Sequence, residues 1–451
     1  MGDIVRKEYF GTDGIRGIAN EFLTPELSFK LGKVLGYLMQ KEQNGDKPYV
    51  YVGKDTRQSS PLLEYSLISG LLSSGVDVKR LHSIPTPCVA YLTASTEASM
   101  GVMISASHNP FYDNGIKIFD SSGMKLTDES ELIIEDFIDK VDDLPRVIKE
   151  DVGVVLNRHE SMYQYIESLF FSVKNRFDSL RIGLDCANGS TSVIAKRLFV
   201  RLGAEVFVIN DEPNGTNIND NCGSTHLAQI KNLVLSKGLD FGFAFDGDGD
   251  RVLAIDELGN EIDGDHILYI FAKYMKEENT LTGNNVVTTI MANMGLYNAL
   301  EEIGINTTKT KVGDRYVLED MLKNNYNIGG EQSGHVIMLD YNTCGDGMLV
   351  ALQLTSLIRK SGKKLTELSK GLVKYPQKLG KVVVNDKQVI MNDNELINMI
   401  NLSNEELGKN GRVLIRPSGT EPVIRVMVEA ITDELCDKYY DILYKKVNSL
   451  T

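Results

Sequence analysis

Short apolar runs that stop abruptly at loops rich in glycine, aspartate or serine recur along this chain, and stretches of helical spacing separate them. Tyr49–Val52, Gly101–Ile104, Leu180–Asp185, Phe241–Phe245 and Val286–Met291 are such runs. Between them, patterns such as Thr24-Pro25 followed by Leu27, Leu31, Val34, Leu35 and Leu38 read as capped amphipathic helices. Strands alternating with helices predict βαβ units with parallel strands. A chain of 451 residues exceeds what one hydrophobic core can organise. We therefore expect an α/β protein of four domains around a central cleft. Residues 1–155, 156–258 and 259–371 form three related units on parallel or mixed sheets. Residues 372–451 read strand, helix, strand, strand, helix, an α+β domain with its own small core.

The net charge of −14 argues against a general nucleic-acid or membrane-surface binder, which needs a basic face. Cys88, Cys186, Cys222, Cys344 and Cys436 are odd in number, scattered and never spaced Cys-x-x-Cys. They favour a reducing cytoplasm over a disulfide framework or a zinc ribbon. No signal-like or membrane-length apolar stretch is read, so a soluble cytoplasmic protein is expected.

The run Gly101–Ile104 leads into Ser105-Ala106-Ser107-His108-Asn109-Pro110 and then Asp113-Asn114-Gly115-Ile116-Lys117. A strand that delivers such a loop to a surface cleft makes Ser107 a candidate carrier of a covalent group, the alternative being an ordinary polar turn. As a surface hydroxyl, Ser107 should be replaceable at little cost in stability. The run Phe241–Phe245 ends in Asp246-Gly247-Asp248-Gly249-Asp250-Arg251. Three carboxylates in a tight loop repel one another unless a divalent cation such as Mg²⁺ lies between them. An EF-hand fails, because Arg251 occupies the position that needs glycine and the flanks are strands; a metal-free Asp-Gly turn stays open. Gly329–His335 offers Glu331, Gln332, Ser333 and His335 to a hydroxyl-rich ligand such as a sugar. Arg416-Pro417-Ser418-Gly419-Thr420-Glu421-Pro422, with Arg425 beyond, combines guanidinium groups, hydroxyls and a flexible backbone suited to an anion. Both loops also read as simple inter-strand turns. His82, His159, His226 and His266 lack any partner pattern and are expected to be structural.

Taken in order, Gly11–Gly17, Ser105–Pro110, Asp246–Arg251, Gly330–His335 and Arg416–Pro422 resemble the α-D-phosphohexomutase family over the whole chain. Val312–Tyr316, Asn221–His226, Ile104–Ser107 and Gln332 are similar to the bacterial branch acting on hexosamine phosphates. Cys88 and Ala292 depart from the usual Gly and Ser, outside the catalytic loops. The resemblance implies a phosphoserine at Ser107, with Mg²⁺ held by Asp246, Asp248, Asp250 and the phosphate on Ser107. It implies that Arg251 neutralises that phosphate and that Arg16, Lys117 and His335 belong to the catalytic set. Glu331 and Ser333 would bind sugar hydroxyls, and Arg416, Ser418, Gly419, Thr420 and Arg425 the distal phosphate. The implied reaction interconverts glucosamine 6-phosphate and glucosamine 1-phosphate through a hexosamine bisphosphate, which also primes the enzyme, and supplies UDP-N-acetylglucosamine synthesis. The partner is then a small phosphosugar, with a homodimer allowed for. A glucose- or mannose-type mutase, or a non-catalytic phosphosugar binder on the same fold, is the alternative; the latter would not need Ser107 beside an intact aspartate triad.

Overall fold

The computed structural model describes residues 7–42, 45, 47–418 and 422–451. They fall into two compact units, Met1–Met291 with Ile305–Ser369, and Ala292–Gly304 with Lys370–Thr451. Three sheets build the first. Strands β1 (Phe10–Gly11), β2 (Gly14–Ile18), β3 (Tyr49–Lys54), β4 (Asp77–Ser83), β5 (Met100–Ile104), β6 (Asp113–Phe119) and β7 (Val155–Asn157) form a sheet of order β1-β2-β6-β5-β3-β4-β7. Its central strands are parallel, whereas β6 runs antiparallel to both β5 and β2. Leu31, Val34 and Leu35 of the helix Pro25–Glu42 pack in one core with Val50, Val52, Val102 and Ile104 of the sheet, which is what their helical and strand periods dictate.

The second sheet, β12-β11-β10-β8-β9, comprises β8 (Arg181–Asp185), β9 (Glu205–Ile209), β10 (Phe241–Phe245), β11 (Val252–Asp256) and β12 (Glu261–Ile262). Strand β10 shows how its sequence chooses its faces. Phe241 and Phe243 meet edge to face, and Phe243 reaches Phe199, which in turn meets Phe177. Gly242 and Ala244 occupy the opposite face beneath the helix Ala228–Lys237. A Cβ on Gly242 would lie 2.8 Å from the Val234 side chain, so the helix approaches only because the strand is small there. The third sheet, β14-β13-β15-β16, contains β13 (Asn285–Thr289), β14 (Asn306–Thr310), β15 (Ile328–Gly330) and β16 (Val336–Met338).

The expected parallel or mixed sheets are mixed, and an antiparallel pair falls at one recurring place in each. β5 to β6, β10 to β11 and β15 to β16 are adjacent antiparallel pairs. The reason is loop length, since a parallel neighbour needs a crossover of a dozen or more residues and residues 105–112, 246–251 and 331–335 are far too few. Each of the three candidate loops thus turns a parallel strand back beside itself.

The second unit is an antiparallel sheet, β17-β19-β18, of β17 (Gln377–Val383), β18 (Gly411–Pro417) and β19 (Val423–Ala430). Leu396 and Leu407 of the helix Asn394–Leu407, with Cys436, Leu443 and Val447 of the helix Asp433–Ser449, close its core. The helix Met294–Glu302 belongs to this unit too. Buried Glu429 accepts from the Met294 amide at 3.1 Å and from Arg412 Nε at 2.8 Å, and Arg412 also donates to Ala292 O at 2.6 Å. Among the described residues no helix is long and apolar enough to cross a membrane.

Candidate active site

The loop after β5 places Ser107 in a left-handed conformation, φ 53°. That conformation costs a non-glycine residue about 1–2 kcal/mol and persists only where surrounding bonds impose it. They do so here. The Ser107 carbonyl accepts from Arg57 Nη2 and from Asn219 Nδ2, both at 2.9 Å. The Ser107 amide donates to Ser105 Oγ at 2.9 Å, and Ser105 Oγ donates to Asp55 at 2.7 Å. Asp55 and Arg57, paired at 2.7 Å with fully buried side chains, anchor the assembly. Ser107 is 1% exposed, so the surface position expected for it is corrected: the loop folds inward against the aspartate loop. Gly247 permits that approach, because a Cβ there would sit 2.7 Å from Ser107 O.

The turn from β10 to β11 brings Asp246, Asp248 and Asp250 together, all buried, with one oxygen of each within 4.8 Å of the others. Ser107 Oγ donates to Asp246 Oδ2 at 2.5 Å, and the Arg251 amide donates to Asp246 Oδ1 at 3.1 Å. Asp248 Oδ2 accepts from Thr86 Oγ1 at 2.5 Å and from Lys117 Nζ at 2.8 Å. Asp250 Oδ2 accepts from Lys117 Nζ at 2.9 Å. The other oxygens of Asp248 and Asp250, both Oδ1, are buried without a hydrogen-bond partner. Burial, then the charges of Asp250 and Asp248, push the Asp246 carboxyl well above the ordinary carboxylate range. Burial presses Asp250 the same way, yet Lys117, His335 and Arg251 hold it well below that range. Two orphaned carboxylate oxygens in a buried triad, on hard oxygen donors, fit a divalent cation of the Mg²⁺ or Ca²⁺ kind.

Cationic groups converge on the triad. Lys117, on β6, is 1% exposed and lies 3.3 Å from Asp13 as well as against Asp248 and Asp250. Burial opposes its charge, but those three carboxylates hold its pKa well above the usual lysine value. Asp13 also pairs with Arg16 and, at 2.5 Å, with Lys125, and Lys125 pairs in turn with Asp314. His335 Nδ1 is 3.8 Å from Asp250 and Nε2 is 3.3 Å from Asp314. Burial works against a charged His335, but Asp314 and Asp250 hold its pKa above the ordinary value. His108 behaves oppositely. Burial, then Arg251 and Arg16, push it down to about 4, so it is neutral near pH 7 and faces Arg251 Nη1 at 3.1 Å.

In the turn from β15 to β16, Glu331 accepts from the Gly313 amide at 3.3 Å, and the buried Ser333 hydroxyl has no hydrogen-bond partner. Gln332 donates to Asp263 at 3.4 Å. In the second unit, Arg416 and Arg425 face each other across β18 and β19, and burial followed by the Arg425 charge lowers the Arg416 pKa. Two guanidinium groups directly opposite in a sheet repel and are relieved by an anion. Ser418 O accepts from Lys387 Nζ at 2.8 Å, while Gly419 and Thr420 lie outside the described residues.

Ser107, Asp246, Asp248, Asp250, Arg251, Lys117, His335 and Arg16 are therefore gathered in one place. Sequence reasoning missed Asp13, Asp55, Arg57, Thr86, Lys125 and Asn219 as members of this network. Asp55-Thr56-Arg57 follows a strand just as the other loops do and was open to the same rule. Pro85-Thr86-Pro87 signals only a helix start. The four histidines left over each have a hydrogen-bond partner: His82 meets Asn157, His159 meets Leu81 O, His226 meets Thr225 and His266 meets Asp263.

Comparison with known proteins follows the same order. Models of phosphoglucomutase/phosphomannomutase α/β/α domains I, II and III match residues 7–144, 162–259 and 263–375, and that of the C-terminal domain matches 379–446. The chain is 52% identical to a phosphoglucosamine mutase of Oceanobacillus iheyensis over 96% of its own length and 97% of the relative's. It is 53% identical to that of Bacillus cytotoxicus over 96% of each. A phosphoglucomutase/phosphomannomutase family protein of Burkholderia thailandensis superposes with TM-score 0.81 at 22% identity, over 97% of both chains. The Aspergillus fumigatus N-acetylphosphoglucosamine mutase, solved with GlcNAc-6P and magnesium, superposes with TM-score 0.68 at 17% identity, over 100% of this chain and 97% of that one.

Proposed function

We propose that this chain, which belongs to the phosphoglucomutase/phosphomannomutase family, interconverts glucosamine 6-phosphate and glucosamine 1-phosphate through a phosphoserine at Ser107. The observation that carries this reading is the 2.5 Å contact of Ser107 Oγ with the aspartate triad, ringed by Lys117, Arg251, Arg16 and His335. Phosphoryl transfer depends on positioning and charge neutralisation more than on covalent help from the protein. The residues around Ser107 supply both.

In the forward direction the phosphorus–Oγ bond of phospho-Ser107 breaks as a bond forms to the free hydroxyl of the hexosamine phosphate, giving a bisphosphate. The other phosphoryl group then returns to Ser107, so the serine ends each cycle as it began. A hexosamine or hexose bisphosphate therefore also serves as primer. Asp246, Asp248 and Asp250, with an oxygen of the serine phosphate, would hold Mg²⁺, which when bound supplies charge neutralisation at the transferring phosphoryl group. Lys117 and His335, whose pKa values neighbouring carboxylates raise, stabilise the anionic phosphoryl oxygens, and the proton released by the attacking hydroxyl is passed to Ser107 Oγ as it departs. Arg251 and Arg16 add to that field.

Glu331 and Ser333 are assigned to the sugar, the Ser333 hydroxyl being buried and uncommitted and the Glu331 carboxylate attracting an ammonium at carbon 2 more than a neutral hydroxyl. Arg416, Ser418, Gly419, Thr420 and Arg425 are assigned to the phosphate that is not reacting. The product suits amino-sugar nucleotide synthesis in the cytoplasm. Coupled assays with glucosamine, glucose and mannose 1-phosphates, run side by side, test the assignment. The glucosamine phosphate is expected to have the highest kcat/KM, and more efficient turnover of either of the others would overturn the branch while leaving the phosphohexomutase reading standing.

A further inference from the structure

The carboxylate of Asp248 has one oxygen bound twice and one bound by nothing. Oδ2 accepts from Thr86 Oγ1 at 2.5 Å and Lys117 Nζ at 2.8 Å, while Oδ1 is buried without a partner. Which oxygen faces the centre of the triad is set by whatever fixes the carboxylate plane. Lys117 cannot fix it alone, because its ammonium is shared among Asp248, Asp250 and Asp13. Thr86 is not shared. Its hydroxyl goes to the Asp248 side chain and its amide donates to the Asp248 carbonyl at 2.8 Å, so one residue holds both the main chain and the side chain. Thr86 is 1% exposed and opens the helix Thr86–Ala94, where a β-branched side chain has few rotamers. The helix start is itself pressed on the loop, with Pro85 3.3 Å from where a Cβ on Gly249 would stand.

We infer that Thr86 is a positioning residue for the cation site, turning Asp248 so that Oδ1 is presented to the ion. The inference rests on the proposed function, in which the triad holds Mg²⁺. Groups that orient a ligand in this way typically change metal affinity by about 10–100-fold when removed. Because Thr86 comes from the segment between β4 and β5, it also makes cation binding depend on how the serine-bearing sheet meets the aspartate loop.

Thr86→Val keeps the shape and removes the donor; Thr86→Ser keeps the donor and removes a methyl. Mg²⁺ binding is measured by calorimetry on the full chain, at a phosphorylation level matched by intact mass, beside melting temperature with and without Mg²⁺. The expected result is a dissociation constant about 10–100-fold weaker for the valine variant and nearly normal for serine, with the Mg²⁺-induced rise in Tm shrinking in valine alone. Wild-type and valine proteins that bind Mg²⁺ equally tightly overturn the inference, as does a serine variant as weak as valine. A wild-type protein with no saturable Mg²⁺ binding overturns the cation reading and this inference with it. Should the valine variant not fold, Thr86→Ala carries the same comparison.

Discussion

Arg57 uses every donor it has. Its Nε goes to Asp55 at 2.7 Å, Nη1 to Pro110 O and to Asp113 O at 3.0 Å, and Nη2 to Ser107 O and Asn109 O at 2.9 Å each. A guanidinium carries five N–H groups, so none is spare, and the side chain is fully buried. Arg57→Lys keeps the charge but offers three rotatable donors from one point. Asp55 would take one of them, and it keeps Ser60 Oγ, Ser105 Oγ and the residue-57 amide. Ser107 O and Asn109 O keep Asn219 Nδ2. At least two of the five bonds are lost, those to the part-buried Pro110 O and Asp113 O, and Pro110 O keeps the Asp113 amide at 3.2 Å, so at about 0.5–1.5 kcal/mol each we expect a loss of roughly 1–3 kcal/mol. That lowers the calorimetric transition by about 2–12 °C, at 2–4 °C per kcal/mol. Because the same bonds impose the left-handed Ser107, turnover should fall more than tenfold at temperatures where the variant is folded, and amide exchange across residues 105–110 should quicken. A lysine variant with unchanged kcat and unchanged exchange in that loop would show that Arg57 does not set the geometry of the serine.

Ser107→Ala should abolish turnover and covalent phosphorylation seen by intact mass; because it deletes a buried donor to Asp246, it should also cost about 1–2 kcal/mol in melting experiments, and residual activity above a small fraction would remove the covalent step. Asp346, 1% exposed and accepting from Tyr165, Asn342 and the Leu349 amide, is pushed up to about 6 by burial. The native state therefore holds that proton more tightly than the unfolded chain, and the associated stability, of order 3 kcal/mol, is present below pH 4 and lost as pH rises through about 6. The Tm of Asp346→Asn relative to wild type should rise between pH 4 and 6 and then level off; a difference flat across that range contradicts the assignment.

Strands were legible where burial and chain direction agree with a short repeating pattern. β5 and β10 fall where Gly101–Ile104 and Phe241–Phe245 were read, and the helix Pro25–Glu42 starts at its proline signal. The serine and aspartate loops were legible because an apolar run stops at each, and because three carboxylates crowded into a tight turn repel one another. Direction was less so: that β6, β11 and β16 run antiparallel follows from loops too short for a crossover, a constraint on spacing rather than on residue type. Thr86 and Asn219 gave no signal, since each acts on residues far away in sequence, Thr86 on Asp248 162 positions distant and Asn219 on Ser107 112 positions distant. The burial of Ser107 escaped for the same reason, being produced by Gly247 and Asn219 from the neighbouring sheet. The second unit takes in residues 292–304, which contact Glu429 and Arg412 through single side chains that no periodicity announces.

The left-handed backbone at residue 107 also bears on which alcohol can serve as the proposed carrier. Threonine offers an equivalent hydroxyl chemically. At φ 53°, however, a second substituent on Cβ crowds the adjoining peptide planes, and β-branched residues are genuine outliers there. The alternative backbone is closed off by Arg57 and Asn219, which grip the carbonyl of the same residue. The selection of serine over threonine is thus made by torsion angles and not by nucleophilicity.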